Sequence, residues 1–355
     1  MIDGDISDQF KLLWNYCNDI VRENPNTSVY MKLVENEEPC KPERFQRFYI
    51  CFSACKEGFK SGCRKIVLKG PMYGTQLLTA VGLDPTNNIY PIAYAVVEKE
   101  NYESWAWFLD HLKLDLEIDD GAYSTFMSDK QKGLIEAFND ILPFVAYRFC
   151  VRHLHRDFKR VEFGGNTLRN ALWKVATATT LRWFDERMVE IFDLDPEAAI
   201  WLRDKSPSEW SKSHFSEDVK CDTLVNNICE YFNSMILDAR DKPIITFLEK
   251  IWYTLMTRMK TNRDKSAKWS SDDICPRIKN VLCKSQVAVA KYIPRKSNEW
   301  NYELIGASIT DIWAVDLLNR KYSRRKWNLT GLPCKHVIAA IWAKTNEISS
   351  YIDDC

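Results

Sequence analysis

Two short Cys–His pairs and two isolated carboxylates are the residues whose types and spacing can do chemistry in this 355-residue chain. Cys150-Val-Arg-His153-Leu-His155 and Cys334-Lys-His336 each set a thiol close to an imidazole. Such a pair can hold one side of a zinc ion, but a structural site needs four ligands in a tetrahedron. With two or three ligands and no second pair beside it, the 150–155 run also reads as a buried cysteine next to ordinary histidines. The chain has 12 cysteines but only five histidines, so few places offer mixed ligation. Asp129 stands where the strand-like Thr125-Phe126-Met127-Ser128 gives way to a helical pattern through Leu134, Ile135, Phe138 and Leu142. A carboxylate at a strand end faces the crevice where ligands commonly bind, and it equally serves as a helix cap. Glu230 lies in a helical pattern with Ile228, Phe232, Met235 and Ile236, which leaves open whether it faces solvent or a sheet. Two-metal phosphoryl transfer needs several carboxylates converging on a pair of Mg²⁺ ions. Two acids so far apart in sequence do not define such a site by themselves.

These residues need a sheet to position them, and the pattern supplies one. Residues 6–24 read as a helix with Phe10, Leu13, Trp14, Cys17, Ile20 and Val21 on one face, followed by a strand over 28–34. Residues 43–60 read as a second helix with Phe45, Phe48, Tyr49, Phe52 and Cys55 as its apolar face. Strands are expected over 65–68, 76–82 and 89–98, the last two forming an antiparallel hairpin around the turn-rich 83–88. Ser104 is placed to cap a helix through Trp105 and Leu112, and a further strand follows over 146–151. From 154 to 262 the pattern is helical almost throughout, 304–318 turns strand-like, and 333–346 reads as a turn and a helix. Asn262 to Asp273 is the most polar stretch and the expected internal boundary. The order describes a mixed α/β sheet with flanking helices, compatible with a ribonuclease H-like core but not diagnostic of one.

A hydrophobic content of 46% is ample for a large core, and the length suits two domains. Basic and acidic residues balance at 49 each, so any nucleic-acid surface must be a local patch. Basic residues cluster at Arg148, Arg152, Arg156, Lys159 and Arg160, and again at Lys321, Arg324, Arg325 and Lys326. Each cluster suits phosphate contacts or a solvated face. No secretory leader and no membrane-length apolar run is evident, so the reading is an intracellular protein with reduced thiols.

Longer runs carry a resemblance. LKGPMYGTQLLTAVGLDPTNNIYPIAYAVVEKENYESWAWFLDHL from residue 68, FMSDKQKGL from 126 and RFCVRHLHRDFKR from 148 are similar to the plant Mutator-like element transposase domain. So are KCDTLVNNICEYFNSMILDARDKPI from 220 and RKWNLTGLPCKHVIAAIWA from 325, and the likeness spans about residues 8 to 350. The resemblance implies a ribonuclease H-like fold with an Asp-Asp-Glu triad that cleaves and joins DNA through Mg²⁺ or Mn²⁺. It aligns the second Asp with Asp129 and the Glu with Glu230. The first Asp belongs to a block resembling GLDGCHLKG; here Gly62 to Gly70 keeps the Leu68-Lys69-Gly70 end and lacks the Asp. The expectation is therefore an enzyme that has lost strand transfer. The alternatives are a domesticated regulator similar to the far-red-response factors, or an active transposase with a mispredicted exon.

Cys150 and His153 match a Cys–His motif of the same family. Cys334 and His336 match the second half of a SWIM-type zinc element, whose pattern is Cys-x-Cys, a spacer, then Cys-x-His. Tyr322 and Arg324 stand where the first pair should be, so Zn²⁺ is expected to be weak or absent. The resemblance further implies DNA as partner, a homo-oligomer and a nuclear location; the basic run itself offers Arg152, Arg156, Lys159 and Arg160 as candidate DNA contacts, and the lack of a membrane-length apolar run predicts no membrane partner. Pattern and resemblance together divide the chain into a helical N-terminal region (1–62), a transposase core (63–262) with a helical insertion over about 155–225, a helical and polar connection (263–300) and a degenerate zinc-finger region (301–355).

Overall fold

A computed structural model describes residues 6–34, 44–63, 65–70, 77–84, 86, 88–118, 125–128, 131, 133–226, 242–269, 274–308, 311–345 and 347–353. Helix α1 (Ile6–Glu23), strands β1 (Ser28–Val34) and β2 (Arg44–Cys51), helix α2 (Ser53–Gly62), strands β3 (Lys65–Lys69), β4 (Leu77–Leu83) and β5 (Ile89–Val96), helix α3 (Tyr102–Leu116), strand β6 (Thr125–Ser128) and helix α4 (Leu134–Ile141) come first. Strand β7 (Ala146–Phe149), helices α5 (Val151–Arg160), α6 (Asn166–Thr177), α7 (Leu181–Leu194) and α8 (Pro196–Arg203), and the short α9 (Pro207–Trp210) follow. The rest comprises α10 (Ile244–Ser266), α11 (Pro276–Val287), β8 (Ile293–Lys296), β9 (Asn301–Ile305), β10 (Ile312–Asp316), β11 (Lys321–Tyr322), α12 (Lys326–Thr330) and α13 (Lys335–Ala343). The chain forms two compact units, Met1–Val145 with Asn226–Asp273, and Ala146–Val225 with Ile274–Cys355.

The first unit is a mixed α/β layer. Its strands run in the order β1-β2-β5-β4-β3-β6. Neighbours are antiparallel except β3 and β6, which pair in parallel from Lys65↔Thr125 to Val67↔Met127. A parallel neighbour needs a crossover, and the chain passes through α3 before it enters β6. Every residue of β4 is buried, as expected for a strand covered on both faces. Phe48, Val67, Val81, Tyr94 and Met127 of the sheet share one core with Leu13 and Cys17 of α1 and Leu248, Ile251 and Leu255 of α10. Gln9 ties the two helices together. Its Oε1 accepts from the backbone N–H of Ile245 at 2.9 Å and of Thr246 at 3.2 Å, and its Nε2 donates to Thr246 Oγ1 at 3.0 Å. Those N–H groups sit in the first turn of α10, where no earlier turn can accept from them.

Two expectations are corrected here. The single helix over 43–60 is instead a strand, β2, followed by the helix α2. Phe45, Phe48, Phe52 and Cys55 do recur at helical spacing. Pairing with β1 along the whole of Arg44–Cys51, and with β5 at Phe48–Ile50, overrides that local pattern. The buried Arg47 is acceptable in the strand because its Nη2 and Nε donate to the Glu98 carboxylate at 2.6 and 2.8 Å. The cap of α3 is Asn101 rather than Ser104. Asn101 Oδ1 accepts from the Ser104 N–H at 3.0 Å, while the Ser104 hydroxyl donates to the Lys99 carbonyl at 2.7 Å. Gly133, at the start of α4, has φ +77°, and a Cβ there would lie 2.4 Å from the backbone nitrogen of Tyr102, so only glycine fits.

The second unit has a helical part and a small sheet part. Helices α5 to α9 bury Leu154, Phe158, Leu172, Val175, Phe184, Met188, Ile191 and Trp210 in one cluster. The helical pattern is interrupted after His214, residues 221–226 take no regular structure, and the expected helix returns in α10. Their carbonyls serve other partners: Leu224 accepts from the Val151 N–H at 2.8 Å, and Cys221 accepts from the Arg148 side chain. Strands β11-β10-β9-β8 form an antiparallel sheet, with β8 in the stretch that the sequence pattern assigns to a connection. Tyr302, Leu304, Val315 and Trp327 pack there with Val337, Ile338 and Ile341 of α13. Among the described residues, no helix is long and apolar enough to cross a membrane.

Candidate functional site

Both carboxylates singled out by sequence, Asp129 and Glu230, lie outside the described residues. Ser128 before position 129 and Gln131 after it are described. Ser128 ends β6, which runs parallel to the interior strand β3. Ile66, Val67 and Leu68 of β3 are fully buried. Just past β3, the Gly70 N–H donates to Gln131 Oε1 at 2.8 Å, and a Cβ on Gly70 would lie 2.1 Å from Glu100 Oε1. Glu100 Oε1 also accepts from the Trp105 indole N–H at 3.2 Å. The ends of two adjacent parallel strands are thus bridged by polar side chains, which is where ligands gather in open sheets of this kind.

Cys150 is buried at the N-terminal boundary of α5, and His153 sits in its first turn, with its backbone N–H donating to the Cys150 carbonyl at 2.9 Å. Val151, Leu154 and Phe158 form the buried face of α5, while Arg152, Arg156, Lys159 and Arg160 are exposed. The spacing 152, 156, 159, 160 puts these four cations on one stripe. Asp157 lies 3.7 Å from Arg156 and 3.5 Å from Arg160, in pairs too solvated to neutralise the stripe. Burial, then the charges of Arg169 and Lys159, hold the neighbouring His155 below its ordinary pKa. Arg148 leaves the cluster that sequence assigns it to. It is 1% exposed, its guanidinium lies 3.7 Å from the Phe215 ring centre, and it donates to the Cys221 carbonyl. Its place in a four-residue strand that leads into α5, not its charge, decides this.

The second basic cluster splits in the same way. Arg325 adopts φ +56°, a left-handed conformation that costs a non-glycine residue roughly 1–2 kcal/mol. Its guanidinium holds that turn by donating to the Glu217 carboxylate at 2.6 Å, to the carbonyls of Thr179 and Phe215 at 3.0 Å each, and to that of Ser213. Asn328 completes the knot: its Nδ2 donates to Glu217 at 3.1 Å and its Oδ1 accepts from the Tyr322 N–H at 3.0 Å. Arg324 turns the other way and stacks over the rings of Trp183 and Trp313 at 4.9 and 5.4 Å.

Cys334 and His336 come together, with Sγ 3.7 Å from Nδ1. The neighbour that sequence puts in a missing ligand's position, Tyr322, contacts the same nitrogen through its hydroxyl. Burial first, then the proximity of Cys334, pushes the Tyr322 phenol far up, so it keeps its proton while bonded to Nδ1. Burial, followed by the charges of Lys335 and Arg324, lowers the His336 pKa to about 4 against the opposing pull of Asp311, so the ring is neutral at pH 7. Among the described residues no three His, Cys, Asp or Glu side chains converge as a metal-ligating group. A thiol, an imidazole and a phenol already bonded to that imidazole do not fit a closed tetrahedral zinc site.

No curated protein matches the chain. Residues 68–157, from Leu68 in β3 to Asp157 in α5, match the family model of the MULE transposase domain, which supports a Mutator-like transposase family for this chain.

Proposed function

We propose that the chain is a transposase-derived, DNA-associated protein of the Mutator-like family that has lost strand transfer. The family match over residues 68–157 carries this reading. The antiparallel run β5-β4-β3, continued by the parallel β6 after the α3 crossover, supports a ribonuclease H-like core. In that reading Asp129 and Glu230 are the surviving acids. With the first Asp missing before Leu68, two carboxylates are left for two dications that dehydrate reluctantly. Residues that act as one catalytic unit lose most of the activity when one is removed. DNA association is assigned to the exposed stripe Arg152, Arg156, Lys159 and Arg160, whose phosphate contacts would be sequence-tolerant and salt-dependent.

The deciding experiment incubates the purified full chain and Mg²⁺ or Mn²⁺ with DNA that carries transposon ends. Binding without cleavage is expected, and specific end cleavage would overturn the loss of activity. The Cys334–His336 element is assigned a fold held without zinc, supported by the Tyr322–His336 bond. Elemental analysis should read well under one zinc per chain; one tightly held zinc refutes this. A protein of this kind works in the nucleus, which imaging of the tagged chain tests.

A further inference from the structure

We propose that the second unit carries a pocket for a small free phosphate anion, formed where the helical part meets the Cys334–His336 element. The cavity is about 400 Å³, within the range of small-molecule sites. Five cations line it (Lys212, Lys284, Arg324, Lys326 and Lys335) against a single carboxylate, Asp222. Asp222 is committed to Lys212 at 2.6 Å. Lys335 donates to the Tyr292 hydroxyl at 2.7 Å, a neutral partner that leaves its charge in place. Among the described residues no carboxylate pairs with Lys284, Arg324 or Lys326. Four uncompensated cations therefore surround one concavity in a chain whose net charge is zero.

Two of the lining residues also carry an unsatisfied polar atom. His336 is 2% exposed and lines the cavity, and its Nε2 is buried with no hydrogen-bond partner. Thr179 Oγ1, also in the lining, is in the same condition. A buried polar atom left unsatisfied costs about 1–3 kcal/mol, and both residues that carry one stand in the wall of the cavity. The donor set selects the ligand class. Arg324 presents a planar fork held in place by two indole rings, and the lysines act as mobile point charges, which together suit a multiply charged oxyanion. A single carboxylate would leave most of the charge unanswered. The charges converge inward from three separate stretches of chain, which suits a compact free ligand; the extended backbone of a nucleic acid is better matched by the exposed face of α5.

The test titrates the full chain with inorganic pyrophosphate by calorimetry at fixed ionic strength. Saturable one-to-one binding is expected. The double variant Lys284→Glu/Lys326→Glu should bind at least about tenfold more weakly, since two favourable charges become repulsive. Lys321→Glu, exposed and outside the lining, should bind as the unmodified chain does. Pyrophosphate should also protect Lys284 and Lys326 from acetylation, read by mass spectrometry, which keeps the test independent of how the variants fold. Absence of saturable binding, or equal affinity in the double variant and the Lys321→Glu control, overturns the proposal. Displacement of pyrophosphate by a short single-stranded oligonucleotide at lower concentration overturns the assignment to a free ligand.

Discussion

The two basic clusters, 148–160 and 321–326, look alike in sequence and are built alike up to a point. Each turns one arginine inward and keeps the others outside. Arg148 is spent on a carbonyl and a phenyl face; Arg325 is spent on a carboxylate and three carbonyls. The difference lies in what remains. On α5 the remaining cations form a convex stripe with one carboxylate nearby. At 324–326 they face a concavity together with lysines from distant stretches. The same local composition thus leaves an exposed stripe in one place and the wall of a cavity in the other. Charge counts along a sequence do not separate these outcomes; curvature does.

The largest effect should come from the inward arginines. Arg325→Met leaves the Glu217 carboxylate and three carbonyls without their donor and should cost about 3–4 kcal/mol in urea unfolding. Arg148→Met loses one carbonyl bond and a ring interaction but keeps an apolar stem, and should cost about 2 kcal/mol. If Arg148→Met proves the costlier, the parallel between the clusters is misdrawn.

The next effect distinguishes the pocket region by pH. The folded-state pKa of His336, about 4, lies below its ordinary 6.5. Above pH 6.5 the ring is neutral in both states and its contribution is complete. As pH falls from 6.5 towards 4 the unfolded chain takes up a proton that the folded one does not, and stability drops by about 2–3 kcal/mol. Unfolding midpoints at pH 7 and 4.5 should show the loss, and His336→Asn should reduce it. An equal loss in that variant would assign the acid sensitivity to other groups.

Smaller still is the effect on α5. Arg156→Glu/Arg160→Glu should leave stability within about 0.5 kcal/mol and lower the salt slope of DNA binding by about 0.9 for each phosphate no longer neutralised. An unchanged slope would move the DNA surface elsewhere. Last, Tyr322→Cys/Arg324→Cys rebuilds the Cys-x-Cys half of the zinc pattern. A modest gain in bound zinc over the unmodified chain is expected, since Tyr322 already touches His336; no gain would mean the backbone no longer presents that half.

Much of the first unit is legible in the sequence. The β4–β5 hairpin declares itself through the turn residues between two apolar runs, and Thr125–Ser128 through its bounded apolar character. Arg44–Cys51 reads wrongly because its aromatic spacing fits a helix, and only pairing to strands on both sides decides otherwise. The approach of Cys334 to His336 follows from their two-residue spacing at a helix start. The role of Tyr322 is legible only as a missing ligand; that its hydroxyl bonds the remaining histidine depends on side-chain placement. The pocket has no local signal, because Lys212, Lys284 and Lys326 meet only through tertiary packing.

Gln9 caps a helix that begins 235 residues later, at Ile244. During synthesis, the sheet of the first unit is therefore complete long before α10 emerges to cover it. Until then Val67, Val81 and Tyr94 lack the partners Leu248, Ile251 and Leu255. An apolar sheet face waiting through that interval is exposed to aggregation, and closing so long a loop slows the final step. Truncations that end before residue 244 should therefore accumulate as insoluble protein, whereas those that retain α10 should not.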